Sequence, residues 1–135
     1  MKAIVLNLLH FTWCLPQTLL GMVFYLFLKL SKSVSNTSSL HSVILIRVDK
    51  LFFIGGVSLG KFIFISGNQF SENTILHEYG HAVQSLMLGP LYLIVVGLPS
   101  VTLSILATFS TKIKNNYFKF FPENWADKLG KVCNK

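Results

Sequence analysis

Two long stretches of this 135-residue chain carry no Lys, Arg, Asp or Glu, and they decide what it can fold into. One lies between Lys2 and Lys29 and the other runs from Tyr79 to Thr111. The first exceeds the ~20 residues that a helix needs to cross a bilayer. It ends in Phe24-Tyr25-Leu26-Phe27-Leu28 against Lys29 and Lys32. A signal peptide would instead have a shorter apolar region and end at a small-residue cleavage site, so a retained transmembrane helix over 1–30 is expected, kinked at Pro16. His10 inside it reads as a packing residue. Composition agrees: 52% of residues are hydrophobic and 13% charged, and the mean hydropathy is +0.58. A soluble domain carries about twice that share of charge. Lys29, Lys32, Arg47, Lys50 and Lys61 follow the helix while Lys2 alone precedes it, which puts the following segment on the cytoplasmic side. The net charge of +7 suits anionic lipid headgroups, and no nucleic-acid-binding signature accompanies it. Cys14 and Cys133 show neither metal spacing nor a disulfide framework.

Where the second uncharged stretch begins, the chain reads His77-Glu78-Tyr79-Gly80-His81. Residues four apart share a helical face, so His77 and His81 can reach one ion from adjacent turns. Glu78 then stands beside the metal, placed to take a proton from water as a general base. Ser71 or Asn73 suits the N-cap and Gly89-Pro90 the stop of a metal-binding helix over 72–88. The bland alternative is a pair of surface histidines beside an incidental glutamate. A third ligand is available in Pro122-Glu123-Asn124-Trp125-Ala126-Asp127-Lys128-Leu129-Gly130. Pro122 fits the first position of a short helix over 122–129 and Gly130 the residue just past it. Glu123 and Asp127 share its face. Two histidines and one glutamate leave a zinc ion one open position, and Asp127 can accept the spare ring N–H of a ligand histidine.

His77-Glu78-Tyr79-Gly80-His81 followed by Glu123-Asn124-Trp125-Ala126-Asp127 resembles the gluzincin pattern of the thermolysin and neprilysin metallopeptidases. The resemblance implies Zn2+ on His77, His81 and Glu123, Glu78 as general base, and Asp127 as partner of a ligand histidine. Over roughly 42–131 the chain also resembles a group of small, uncharacterised bacterial membrane proteins, which implies a bacterial cell membrane. It departs from the soluble gluzincins in size and in the apolar stretch between the motifs. It has no clear counterpart of their oxyanion-stabilising His or Tyr; Tyr117 and His41 are the candidates within reach.

The expected architecture is an α+β integral membrane protein, with a single membrane-embedded domain over 31–135 after the first helix. Ser31–Ser39 reads as a polar linker. The apolar runs Val43–Val48, Leu51–Val57 and Lys61–Ser66 read as a small antiparallel β-meander over 43–66, both faces covered. By analogy with gluzincins, the third run is the candidate edge strand for a substrate backbone. His77, His81 and Glu123 must meet at one ion, so the chain has to return to the side it left. Gly97-Leu98-Pro99-Ser100 therefore predicts a re-entrant helical hairpin over 90–110, each leg too short to span; the alternative is a long kinked helix with the site at membrane depth. The functional expectation is a membrane-bound zinc-dependent hydrolase, a metallopeptidase acting on a peptide or protein substrate on the cytoplasmic side. The alternative is a non-catalytic, zinc-stabilised membrane scaffold or interaction protein, which would need the ligands but not Glu78.

Overall fold

Phe62–Ser66 is buried at every position, and the rest of the fold is laid around it. In the computed structural model, which describes residues 1–49 and 55–132, this run is β4 of a four-stranded sheet. The order is β1 (Val34–Leu40), β2 (Val43–Val48), β4, β3 (Gly56–Leu59). Among the described residues there are also six α-helices: α1 (Lys2–Phe11), α2 (Leu15–Leu30), α3 (Glu72–Leu88), α4 (Leu98–Phe109), α5 (Thr111–Asn115) and α6 (Glu123–Gly130). The class is α+β, as expected.

The sheet is not the antiparallel meander that the sequence suggests. β2 and β4 run parallel, while β1–β2 and β3–β4 are antiparallel. Of the expected second strand, Leu51–Ile54 lie outside the described residues, as do Lys50 and Cys133. The reason for the order is burial. A strand without a polar face needs cover on both sides, so β4 takes the middle and the shorter β3 takes the edge. Gly60, at φ +61, makes the turn between them. Phe62 and Phe64 pack with Ile46, Val48 and Leu28 on the α2 side. Ile63 and Ile65 pack with Val43, Leu45 and Ala82 on the α3 side. Covered faces on both sides explain why these strands show no polar alternation.

Ser31–Ser39 is not a linker: most of it forms β1, joined to β2 through His41 at φ 53. Five of its seven positions are exposed, so an edge strand with free faces keeps Ser, Asn and Thr and leaves no apolar pattern to read.

The single helix over 1–30 is replaced by α1 and α2, which meet at 84°. No single described helix is long and apolar enough to cross a membrane; the bent pair is, by length and composition. Pro16, in the first turn of α2, supplies no N–H and blocks the turn before it, so the chain breaks rather than kinks. The inside of the bend is polar. Thr18 donates to the His10 carbonyl at 2.8 Å. Gln17 donates to Ser85 Oγ and the Gly89 carbonyl, both at 2.9 Å, fastening the bend to the end of α3.

Nor is there a hairpin over 90–110. After Gly89 and a short 3-10 turn, a π-helical turn at Leu93–Gly97 runs directly into α4, and Gly97 and Leu98 both have helical dihedrals. Pro99 falls in the first turn of α4, and the wider turn ahead of it absorbs the missing donor. The 17 residues of Leu93–Phe109 form one apolar helix shorter than a span. The return to α3 is made afterwards, by α5 and the turn at Tyr117–Lys119.

Candidate metal centre

The site forms along the seam between α3 and α6. Ser71 caps α3 by accepting from the Thr74 amide at 3.3 Å, and Gly89 at φ 56 ends it. These limits match the expected 72–88. His77, Gly80, His81 and Gln84 recur at helical spacing on the face turned to α6, while Ile75, Tyr79 and Ala82 pack on the sheet. Glu123, Ala126, Asp127 and Gly130 make the opposing face of α6. The two backbones nearly touch. A Cβ on Gly80 would lie 1.9 Å from the Ala126 carbonyl oxygen, and one on Gly130 1.9 Å from that of Leu76. Gly130 therefore sits inside the helix for close approach, rather than just past its end, and Lys131 at φ 56 takes the left-handed position.

This approach brings His77, His81 and Glu123 together, all buried, with one donor atom from each within 4.8 Å of the others. Glu123 Oε2 lies 2.9 Å from His77 Nε2 and 3.3 Å from His81 Nε2. Donors around a tetrahedral ion with ~2.1 Å bonds stand roughly 3.4 Å apart, so the group is of the right size. The second ring nitrogens are fixed from behind. His77 Nδ1 is 2.7 Å from Asp127 Oδ1, as expected. His81 Nδ1 is 2.7 Å from Gln84 Oε1. The Gln84 amide also donates to the Pro122 carbonyl at 3.2 Å, which can only accept, so its oxygen must be the end that faces His81. Both histidines thereby keep a proton on Nδ1 and turn Nε2 inward, the arrangement that metal ligation requires once Nε2 is deprotonated. A buried His-His-Glu group that can hold a metal ion is thus present.

The electrostatics follow from burial and from these contacts. Burial alone would lower His77, but its bond to Glu123, the Glu78 charge and the bond to Asp127 together hold it up at about 9. Burial likewise opposes charge on Glu123, yet its bonds to His77 and His81 keep it well below the usual carboxylate range. Glu78 behaves differently. Burial pushes its carboxyl up against the lowering effect of the two histidines. Its Oε2 is buried with no hydrogen-bond partner, and its Oε1 would be 2.6 Å from a Cβ on Gly56.

A cavity of about 890 Å3 lies in front of these residues, lined by His77, Glu78, His81 and Glu123 and also by Gly56, Tyr92 and Tyr117. Tyr117, whose hydroxyl is 3.0 Å from Ser104 Oγ, is a neutral donor there, since burial and the Glu123 charge push its ionisation to higher pH. His41 does not line the cavity; its ring packs against Tyr79, which faces the sheet. The candidate substrate strand also changes place: β4 is interior, and the free edge beside Glu78 belongs to β3.

Sequence reasoning missed Gln84, Ser100 and Gly56. Gln84 had a signal, being a polar residue one turn beyond His81 on the same face. Ser100 donates to Glu123 Oε1 at 2.5 Å, which turns Oε2 toward the histidines. It lay inside a segment read as a turn. Gly56 had no local signal. Comparison with family models, with curated proteins and with solved structures gives no match to this chain.

Proposed function

We propose that this chain is a membrane-embedded zinc-dependent hydrolase, a metallopeptidase of gluzincin type, with its site at the cytoplasmic surface. The observation that carries the reading is Glu78. A stabilising metal group needs His77, His81 and Glu123 but gains nothing from a buried carboxylate with an unpartnered oxygen, which costs free energy unless it has a task. Zinc bound by those three residues would supply Lewis acidity toward a substrate carbonyl and toward water.

The remaining roles belong to the chain itself. Glu78 accepts the proton of the attacking water, and burial favours the protonated form it then holds until the amine leaves. Asp127 and Gln84 keep the imidazoles aimed, and Ser100 does the same for Glu123. Tyr117, which lines the cavity, is the candidate donor for the developing oxyanion. The backbone groups of Gly56, on the free edge of the sheet, suit an extended peptide laid beside Glu78. Exposed Leu, Val, Ile and Phe on α1, α2 and α4 suit lipid. Lysines at the C-terminal end of α2 and around α5 then lie at the headgroups.

The rival scaffold reading draws on one observation: the two Nε2 atoms both reach Glu123, so the seam closes by hydrogen bonds alone. Metal analysis of detergent-purified protein, with peptide hydrolysis by wild type and Glu78→Gln, separates the two. Near-stoichiometric zinc, hydrolysis by wild type and none by Glu78→Gln is the expected result. Zinc retained in a His77→Ala, His81→Ala double variant would remove the metal site. Equal hydrolysis by Glu78→Gln would remove the mechanism.

A further inference from the structure

The chemistry proposed above uses only the floor of the cavity. On the α4 side its lining falls into two stripes at helical spacing. Leu93, Gly97, Ser100, Ser104 and Ala107 form the wall. Ile94, Leu98 and Val101 line it too, yet are 64%, 62% and 48% exposed, so they are its rim. Leu20 on α2 lines it while 50% exposed. Both rims continue onto exposed apolar residues outside the cavity, Ile105 on α4 and Val23 and Phe27 on α2. The opening between α2 and α4 therefore faces an apolar surface and carries no charge on either rim. Among the described residues, the one lysine or arginine in the lining, Lys114, comes from α5.

Inside the mouth lies the edge of β3. The Ser66 amide bonds the Gly55 carbonyl, which sets the pairing phase: Val57 and Leu59 face β4, while Gly56 and Ser58 turn their backbone groups to the free edge. Tyr92 confirms the direction by donating to the Ser58 carbonyl at 3.0 Å. Among the described residues, the amide and carbonyl of Gly56 and the amide of Ser58 are left for a guest beside Glu78. An acyl chain has no use for them; a peptide backbone has.

We propose that the mouth between α2 and α4 admits substrate sideways from the lipid, and that the substrate is an extended segment of a membrane-inserted polypeptide with apolar side chains around the bond cleaved. Its cleavage rests on the hydrolase reading; its access does not.

The test separates the two. Zinc-loaded Glu78→Gln protein, with the photo-crosslinker p-benzoylphenylalanine replacing Leu98, Leu20 or Ile4, is placed in phosphatidylglycerol and phosphatidylcholine vesicles that contain a biotinylated single-span leucine-alanine peptide. Ile4, on α1, is 66% exposed but does not line the cavity. Peptide labelling should be several-fold stronger from Leu98 and Leu20 than from Ile4. Equal labelling from Ile4, or labelling of lipid alone from Leu98, overturns the proposal, the latter in favour of an acyl-chain occupant. In the catalytically intact chain, Leu98→Lys should lower kcat/KM for the membrane peptide by about tenfold to a hundredfold, since a charge on the rim meets an apolar chain. Leu98-specific labelling without hydrolysis by wild type upholds the access route and overturns the hydrolase. Hydrolysis of soluble peptides with the inserted peptide uncut and unlabelled does the reverse.

Discussion

The α3–α6 seam and the sheet core are both buried, but they hold together by different physics. In the core, Phe64, Ile46, Ile63 and Ile65 are wholly enclosed by other large apolar side chains. Such packing fails by degrees, since each lost methylene costs roughly 1 kcal/mol and neighbours relax in part. In the seam, glycines set backbone against backbone, and the groups between are hydrogen-bonded in fixed pairs. There a single added methyl has nowhere to go. A core stabilises by volume, whereas a site needs position, and the chain uses a separate device for each.

The sharpest way to break this contrast is Gly80→Ala. Its Cβ would meet the Ala126 carbonyl 1.9 Å away, so α6 must move and take Glu123 with it. Zinc binding should be lost while the far-UV circular dichroism of the sheet persists; zinc retained at wild-type affinity would mean that the seam yields as the core does. Ile63→Ala is the converse. It should cost about 2–5 kcal/mol in denaturant unfolding, yet leave zinc affinity unchanged in the folded protein.

Within the seam the effects should grade with distance from the ion. Glu123→Ala removes a donor and should lose most bound zinc. Asp127→Ala and Gln84→Ala remove only what aims an imidazole, and each should weaken zinc about 10–100-fold, measured by chelator competition. Ser100→Ala frees Glu123 Oε1 but leaves Oε2 in place, so roughly the lower end of that range is expected. If Asp127→Ala lost zinc more completely than Glu123→Ala, the two roles would have to be exchanged.

Smallest is the effect of pH on the metal-free protein. His77 is held up at about 9 against an ordinary 6.5, because its bonds to Glu123 and Asp127 and the Glu78 charge outweigh burial. A group raised on folding stabilises fully below its unfolded value and loses that effect as pH rises through the folded one. The metal-free Tm should therefore fall between about pH 6.5 and 9. Zinc needs the neutral ring, so its apparent affinity should run the other way, weakening as pH drops below about 9. A flat Tm across that window, or a fall that is undiminished in His77→Gln, would show that His77 is not charged in the seam.

How much could be read in advance follows from how local each cause is. His77, His81 and Glu78 were legible because a four-residue spacing on a helix is a property of that helix alone. So were Ser71 and Gly89 as its ends, and Glu123 with Asp127 on the face of a second helix. The apolar run Phe62–Ser66 announced a strand with both faces covered. What it could not announce was its neighbours, because strand order depends on which partners remain once the middle is taken; hence β3 at the edge and β1 drawn from a stretch of serines. The uncharged runs measured apolar surface, and surface alone does not distinguish one long helix from two that meet at Pro16, or a hairpin at Gly97 from a helix that absorbs Pro99. Ser100 and Gly56 act only through residues distant in the chain, and Gln84, though one turn from His81, is oriented by the distant Pro122 carbonyl. Gly80 looks like an ordinary helix position, and Gly130 like a helix end, until the second backbone arrives. The candidate ligands were written in sequence spacing; only tertiary packing, which brings backbones within contact distance, decided what holds them in place.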